Sequence, residues 1–100
     1  MGTLKTISVK QFCVHYKVPI SFIETLSEYE LIEIVNQNKI LHIQEEQITT
    51  IEKLMRLHYD LDINFEGLDV ITNLINQIKS LQNEVETLNN KIEFYDDKIL

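Results

Sequence analysis

The chain has 100 residues, of which 44% are hydrophobic and 25% are charged, so it resembles one small folded domain more than a disordered segment. Nine Lys and Arg against sixteen Asp and Glu give a net charge of −7, which disfavours nucleic acid and anionic membranes and favours basic proteins as partners. The single cysteine, Cys13, excludes an intrachain disulfide and fits a reducing compartment. No apolar run has the length of a signal peptide or a membrane span, so we expect a cytoplasmic protein without contact to a membrane.

The first predicted helix covers residues 9–16. Ser8 and Gln11 have the spacing of a capping box, and Ile7 and Phe12 have that of a hydrophobic staple. These signals predict a helix that begins directly after Ser8. The expected inner face consists of Val9, Phe12, Cys13 and Tyr16.

A second helix is predicted from Pro19 to about Tyr29. Proline fits the first turn of a helix because its missing N–H has no partner there. Ser21 and Glu24 form a competing capping box two residues later. An inner face with spacing three is formed by Ile20, Ile23 and Leu26.

This second helix and the segment after it have an unusual charge. Residues 20–35 contain four glutamates and no Lys or Arg: Glu24, Glu28, Glu30 and Glu33. The position is that of the recognition helix in a helix-turn-helix, which must approach phosphates and gains most of that attraction from basic residues. The sequence therefore predicts a DNA-binding scaffold that serves another purpose.

Two segments rich in β-branched residues, 31–35 and 39–43, are separated by residues 36–38 and predict a hairpin with a three-residue turn. A third helix begins at residues 45–47, where acidic charge suits the helix dipole. Asn64 is the predicted N-cap of a fourth helix. The predicted inner positions of the third helix are Ile48, Ile51, Leu54, Met55 and Leu61.

The fourth predicted helix covers residues 65–100 and carries four heptads. Every a position is β-branched, and every d position is Leu or Tyr. The apolar residues that alternate at spacings of three and four are Ile71, Leu74, Ile78, Leu81, Val85, Leu88, Ile92, Tyr95 and Ile99. A helix of roughly 50 Å is too long to be covered by its own domain, so the repeat predicts a homodimer, although a helix folded back on its own chain is the alternative. The orientation of the coiled coil stays open. We expect two domains, a winged helix-turn-helix over residues 1–63 and the dimerisation helix over residues 64–100.

The order of helix-turn-helix, hairpin wing, third helix and long C-terminal helix is that of MerR-type regulators. Three segments and the heptads carry a closer likeness: "ISVKQFCVHYKV" (7–18), "ELIEI" (30–34), "LMRLHYDLDINFEGLDVITNLI" (54–75) and the heptads that follow. In the order and spacing of these motifs, over nearly its whole length, the chain resembles the CbpM-type chaperone modulators. Lys17 and Glu30 occupy turn positions where members of that family often carry Gly.

The resemblance implies a small cytoplasmic dimer that binds the J-domain of a CbpA-type, DnaJ-like co-chaperone and blocks its work with an Hsp70 chaperone. The Hsp70-docking surface of a J-domain is basic, so an acidic competitor would be complementary to it. A solvated helix face is the alternative explanation of the same charges. The candidate partner-binding residues are Glu24, Glu28, Glu33, Glu45, Glu52, Arg56 and Asp60, although Arg56 could instead pair locally with Glu52.

Other functions find less support in the sequence. Cys13, His15, His42 and His58 do not have the spacing of metal ligands, so we expect no metal. No phosphate-binding loop or catalytic triad is recognisable, so we expect neither a cofactor nor enzymatic activity. The main alternative is a MerR-like DNA-binding transcriptional regulator, and another is a structural coiled-coil protein.

Overall fold

The computed structural model describes the backbone of residues 5–99 and the side chains of residues 5–93. Tyr95 and Ile99, the last two predicted heptad positions, therefore lie outside the described side chains. Within the described range the chain is mainly helical, with one small antiparallel sheet, and the predicted fold class is confirmed. The elements are β1 (Thr6–Ser8), α1 (Val9–Tyr16), α2 (Ile20–Glu28), β2 (Ile34–Gln37), β3 (Ile40–Gln44), α3 (Ile48–Met55) and α4 (Phe65–Ile99).

The sheet has the order β1-β3-β2, so the last strand lies in the middle. Thr6 pairs with Gln44 and Ser8 with His42, and on the other side Ile34 pairs with Ile43. The sequence analysis did not include β1. A strand of three residues has no periodic pattern of its own, and its existence depends on a partner more than thirty residues away.

The turn between β2 and β3 is shorter than predicted. It has two residues, Asn38 and Lys39, whose φ angles are 52° and 67°, and the predicted three-residue turn was wrong. Positive φ at both central residues is the requirement of a type I′ turn, whose twist matches that of the flanking strands. β2, the first strand of this hairpin, begins at Ile34 rather than at residue 31, and Ile32 before it is buried in the core.

The helix-turn-helix is formed by α1 and α2. The predicted start of α1 is confirmed, since the Ser8 hydroxyl accepts a hydrogen bond from the Gln11 N–H at 3.1 Å. Lys17 ends the helix with a φ of 58°, and Glu30 after α2 has a φ of 60°. Both residues have the left-handed conformation that Gly adopts most easily.

The second helix differs from the prediction in its first turn. Pro19 is the N-cap and Ile20 the first helical residue, so the alternative start at Ser21 is not used. Ile20 is 44% exposed, and its predicted place on the inner face was wrong. Phe22 is buried instead, because its ring packs between aromatic side chains of later elements.

The third predicted helix consists of three parts. A 3₁₀ turn at Glu45–Gln47 leads into α3, which is followed by a π turn at Arg56–Asp60. The wider π turn changes the helical phase, and Leu61 after it is 64% exposed, so its predicted inner position was wrong.

One core holds the residues up to Asp69 together. Cys13 is part of it, as predicted, and Leu68 joins it from the first turns of α4. The predicted N-cap of α4 is also confirmed, because the Asn64 side-chain oxygen accepts a hydrogen bond from the Gly67 N–H at 2.8 Å. The buried residues are Val9, Phe12, Cys13, Phe22, Ile23, Leu26, Ile32, Ile43, Ile51, Leu54 and Leu68.

The chain divides into two compact units, the first ending at Asp69 and the second beginning at Val70. The predicted boundary between residues 63 and 64 stays a prediction. No helix of the described chain is both long and apolar enough to cross a membrane. In the second unit Ile71 is partly buried, and the other described heptad residues are each more than half exposed: Leu74, Ile78, Leu81, Val85, Leu88 and Ile92.

Candidate functional site

The surface of α2 is acidic. Glu24 and Glu28 are exposed on this helix, which contains no Lys or Arg. The residues that cap α2, Pro19 and Tyr29, are not basic either. The predicted electrostatic character of the helix is therefore present on its solvent-facing side.

A cleft of about 390 Å³ lies between the end of α1 and the segment formed by α3 and the π turn. It unites three of the predicted partner-binding residues, Glu52 from α3 and Arg56 and Asp60 from the two ends of the π turn. The remaining lining residues are Tyr16, Met55 and Tyr59. The sequence analysis placed Tyr16 on the inner face of the first helix, so it missed this residue as part of the cleft lining.

Glu52 is held in place by α1. The Tyr16 hydroxyl donates a hydrogen bond to the Glu52 carboxylate at 2.8 Å, across 36 positions of sequence. This bond to an anion raises the pKa of Tyr16, with burial and the Glu52 charge as further causes. The local ion pair with Arg56 stays a prediction, while the carboxylate itself is already oriented by Tyr16.

An aromatic cluster supports the other wall of the cleft. The ring of Tyr59 lies 5.2 Å from that of Phe22 and 4.8 Å from that of His58, and the His58 ring lies 4.7 Å from that of Phe65. His58 Nδ1 is 2.8 Å from the Ile63 carbonyl oxygen, which joins the π turn to the residues that precede α4. Partial burial raises the pKa of the Tyr59 hydroxyl, although the side chain as a whole is 46% exposed, and proximity to Cys13 adds to the increase. The π turn thus presents its side chains from a packed base.

Four predicted partner-binding residues are not part of the cleft lining: Glu24 and Glu28 on α2, Glu33 before β2, and Glu45 in the 3₁₀ turn. The backbone of Glu33 is fixed on both sides by the Gln47 side chain, which accepts from the Glu33 N–H and donates to the Glu33 carbonyl oxygen at 2.8 Å each. The Glu45 N–H donates to the Lys5 carbonyl oxygen at 2.9 Å. Both side chains are exposed, and Glu33 lines a separate pocket of about 500 Å³ together with Ser27, Glu30 and its neighbours in residues 32–35.

The cleft offers two carboxylates and two tyrosines, a set that can accept the ammonium or guanidinium group of a basic side chain by ionic and cation–π contacts. Arg56 at its edge can in turn meet a carboxylate. Over the described part of the chain, no group of three or more His, Cys, Asp or Glu residues is close enough to hold a metal ion.

One comparison with known proteins gives a match. The family model for MerR helix-turn-helix regulatory proteins matches residues 7–90. No curated protein and no solved structure matches the chain. The match covers the helix-turn-helix, the wing, α3 and most of α4, and the chain therefore belongs to the MerR helix-turn-helix family.

Proposed function

We propose that this protein is a CbpM-type modulator that binds the J-domain of a CbpA- or DnaJ-like co-chaperone in the cytoplasm. It inhibits by occluding the Hsp70-docking surface of the J-domain, and it acts by binding alone, without a cofactor or a chemical step. A homodimer formed through α4 carries two such surfaces. The proposal joins the MerR-type fold, which the family match supports, to the CbpM-like motifs of the sequence.

One observation carries the proposal, namely the charge of α2. The helix that would enter a DNA groove in this fold exposes Glu24 and Glu28 and contains no basic residue. Against phosphates these carboxylates would be repelled, whereas a basic protein surface would attract them. The chain as a whole, at −7, strengthens the same preference.

The cleft supplies the specific contacts in this proposal. Glu52 and Asp60 can pair with Lys or Arg side chains of the J-domain, and Tyr59 offers an aromatic face beside them. The Tyr16 hydrogen bond holds Glu52 before a partner arrives, so less side-chain entropy is lost on binding.

Calorimetric titration with a J-domain tests the proposal directly. We expect binding in the micromolar range or tighter, with an affinity that falls as salt is added because charge complementarity contributes to it. The protein should also reduce stimulation of the Hsp70 ATPase by the co-chaperone. No binding to the J-domain at high micromolar concentrations would overturn the proposal.

A matched pair of double variants locates the contact. Glu24→Lys with Glu28→Lys should weaken J-domain binding by at least about tenfold, since two attractive charges become repulsive. Glu86→Lys with Glu93→Lys changes the net charge equally on exposed positions of α4 outside the heptad seam. If both variants lose the same affinity, the overall charge of the protein is responsible and α2 is not the contact.

The homodimer has its own test. Leu81→Lys places a charge in the predicted heptad seam and should convert a dimer to a monomer in sedimentation experiments. Ser80→Lys introduces the same charge at the neighbouring exposed position and should leave the dimer intact. A monomeric starting protein at high concentration would contradict the dimer.

The family match favours a second candidate function, a DNA-binding transcriptional regulator. Because α2 has no basic residue, such a regulator would have to contact phosphates through lysines of other segments, and the candidates are Lys10, Lys17 and Lys39. A gel shift at low salt with duplexes from the protein's own promoter region distinguishes the two. Sequence-specific binding that survives competitor DNA would support the regulator and leave the acidic α2 without a role.

A further inference from the structure

A second groove of about 640 Å³ lies at the other end of α1 from the acidic cleft. It is lined by residues 8–11 from the last residue of β1 and the first turn of α1, by Ile20 at the start of α2, and by residues 40–42 of β3. No residue is shared with the cleft, which contacts α1 only at Tyr16. The groove is therefore a separate feature of the helix-turn-helix and its wing.

The lining of this groove is mainly apolar. Ile20, Ile40 and Leu41 are all exposed and all border it, above a base that includes the buried Val9. Between residues 5 and 69 the structure describes only three further large hydrophobic side chains that are exposed, Val14, Tyr59 and Leu61. Half of the exposed large hydrophobic residues of this unit thus border one groove. A contiguous apolar surface of this kind on a small domain is typical of a binding site.

The charge around the groove is opposite to that of the chain. Among the residues that the structure describes, its ionisable lining side chains are Lys10 and His42, and Lys39 is exposed at the turn next to Ile40. The first turns of α1 and α2 contain no acidic residue, although the chain carries sixteen. The positive ends of both helix dipoles are therefore not neutralised by side chains of these turns.

We propose that this groove binds a short acidic, amphipathic peptide segment of another protein. Apolar side chains of the segment would cover Ile20, Ile40 and Leu41, and its carboxylates would face Lys10 and the wing turn. Charge complementarity selects an acidic occupant over a basic peptide, which would match the apolar residues but not the lysines beside them. A phosphate backbone would match the lysines but leave three exposed apolar side chains against a charged surface, which gains nothing from their burial.

The site differs from the proposed J-domain surface in chemistry and position, so one protein could hold a basic and an acidic partner at once. In this role the protein acts as an adaptor, with one face for a basic domain and another for an acidic segment. The inference does not rest on the identity of the J-domain partner, because its observations come from different residues.

Fluorescence anisotropy with a labelled peptide tests the inference on the full chain. The probe is an amphipathic peptide of about ten residues with Leu at alternating or helical spacing and Glu or Asp elsewhere, and the comparison probe has Lys at the acidic positions. We expect saturable binding of the acidic probe and clearly weaker binding of the basic one. Equal binding of both probes, or preference for the basic one, would overturn the proposal.

Two pairs of variants place the peptide in the groove. Ile40→Ser should weaken the acidic probe by about tenfold, the effect of losing one apolar anchor, whereas Val14→Ser, at an exposed apolar position outside the groove, should not. Lys10→Glu should weaken it by about threefold, with a smaller effect at high salt, whereas Lys53→Glu on α3 should have little influence. Circular dichroism checks that each variant keeps its helices.

Backbone amide shifts give a second readout that does not depend on a variant. In NMR spectra, addition of the acidic probe should change the amide chemical shifts of residues 8–11, 20 and 40–42. The amide chemical shifts of the residues around the acidic cleft should stay unchanged. Shifts confined to α4 would contradict the proposal, since they would show capture by the apolar heptad residues. A DNA duplex that produces the same shifts and loses affinity in the Ile40→Ser variant would overturn it in favour of nucleic acid.

Discussion

The unit that ends at Asp69 and the helix from Val70 onward differ in where their apolar side chains lie. The first unit buries eleven hydrophobic residues in one core, which draws on both helices of the helix-turn-helix, the sheet, α3 and the start of α4. In the second unit the described heptad residues from Leu74 to Ile92 are each more than half exposed. The first unit therefore buries its apolar residues within one chain, whereas the described heptad residues of α4 remain exposed to solvent in that chain.

The two units also differ in backbone conformation. The five non-glycine residues with positive φ among the described residues all precede Val70: Lys17, Glu30, Asn38, Lys39 and Asp62. Each left-handed residue costs free energy, so packing elsewhere in the first unit must compensate for it. In α4 local helix geometry and the heptad pattern are sufficient. The comparison shows one region stabilised by non-local contacts and another whose structure follows from its local sequence.

The largest expected effect on stability comes from a pair of Leu→Ala variants that test the difference between the two units within one helix. Leu68→Ala and Leu74→Ala are identical substitutions six positions apart in α4, but Leu68 is fully buried and Leu74 is 51% exposed. Leu68→Ala should lower the free energy of unfolding by about 2–5 kcal/mol, because it leaves a cavity in the core. At low protein concentration Leu74→Ala should change it by less than about 0.5 kcal/mol. Urea unfolding followed by circular dichroism measures both.

Protein concentration serves as the control for this pair. If α4 forms a dimer, Leu74→Ala becomes destabilising as the concentration rises, because association then contributes to stability. The loss for Leu68→Ala should persist at every concentration. Equal losses for both variants at the lowest concentration would show that α4 is covered by its own chain.

Gly67→Ala should have a smaller effect at the point where α4 joins the first unit. A Cβ atom at this position would lie 2.6 Å from Ile63 Cγ2, a methyl group on a stiff β-branched side chain. Overpacking costs about 1–3 kcal/mol, more than the gain of about 1 kcal/mol in helix propensity, so the variant should be less stable by about 1 kcal/mol. The midpoint of urea unfolding gives the difference.

The effect should become smaller once the closer obstacle is removed. In an Ile63→Ala background, Gly67→Ala should cost clearly less stability, since the contact to Cγ2 is absent and only the contact of 3.1 Å to Asn64 Oδ1 remains. A double-mutant cycle provides the measurement. Destabilisation of similar size in both backgrounds would mean that the contact with Ile63 is not the cause.

Lys17→Gly tests whether the left-handed backbone conformation of Lys17 is strained, and it should stabilise the protein. Lys17 has a φ of 58°, which Gly adopts without a steric cost, so the variant should gain about 1 kcal/mol. Lys53→Gly removes the same side chain from the interior of α3, where it should cost about 1 kcal/mol. Thermal unfolding should therefore shift in opposite directions for the two variants. A loss in both would remove the argument that Lys17 is strained.

The smallest expected effect concerns pH. The hydrogen bond to Glu52 raises the pKa of Tyr16 above its ordinary value of 10.0, so the fold favours the neutral phenol. Its contribution is complete below pH 10 and is lost as the pH rises through the higher pKa of the folded state. The wild type should therefore lose free energy of unfolding above pH 10. Tyr16→Phe should make that loss smaller, by less than about 1 kcal/mol, because solvent partly screens the Tyr16–Glu52 interaction.

Tyr29 and Tyr59, whose pKa values are also raised, provide the background for that measurement. The Tyr16→Phe variant should still lose stability above pH 10, with a shallower slope than the wild type in urea titrations at a series of alkaline pH values. An identical slope in the two proteins would show that the Tyr16–Glu52 bond does not contribute in solution.

Much of the fold could be predicted because its signals are local. The Ser8 capping spacing set the start of α1, and the Asn64 side chain set the start of α4. Both are contacts within one helical turn, so a single sequence contains all the information that they need. The charge of α2 was equally accessible, since it requires only the residue types and the position of the helix.

The candidate site could be predicted only in part. The closeness of Glu52 and Arg56 followed from their spacing of four residues, but the place of Asp60 beside them at one cleft did not. The opposite wall comes from Tyr16, which no local pattern connects with α3. The groove of the second proposal joins the start of α1, the start of α2 and β3, so its existence depended on how the wing packs.

The sequence by itself determined the order of the elements, the acidic face of α2 and the heptads of α4, because each follows from residue types and periodicity within one element. Only the tertiary structure decided that β1 pairs with β3, that Phe22 is buried while Ile20 is exposed, and that the helix after Met55 widens into a π turn. These features depend on contacts between residues that are distant in sequence. Their free energies are settled by the packing of the whole unit and have no counterpart in a local pattern.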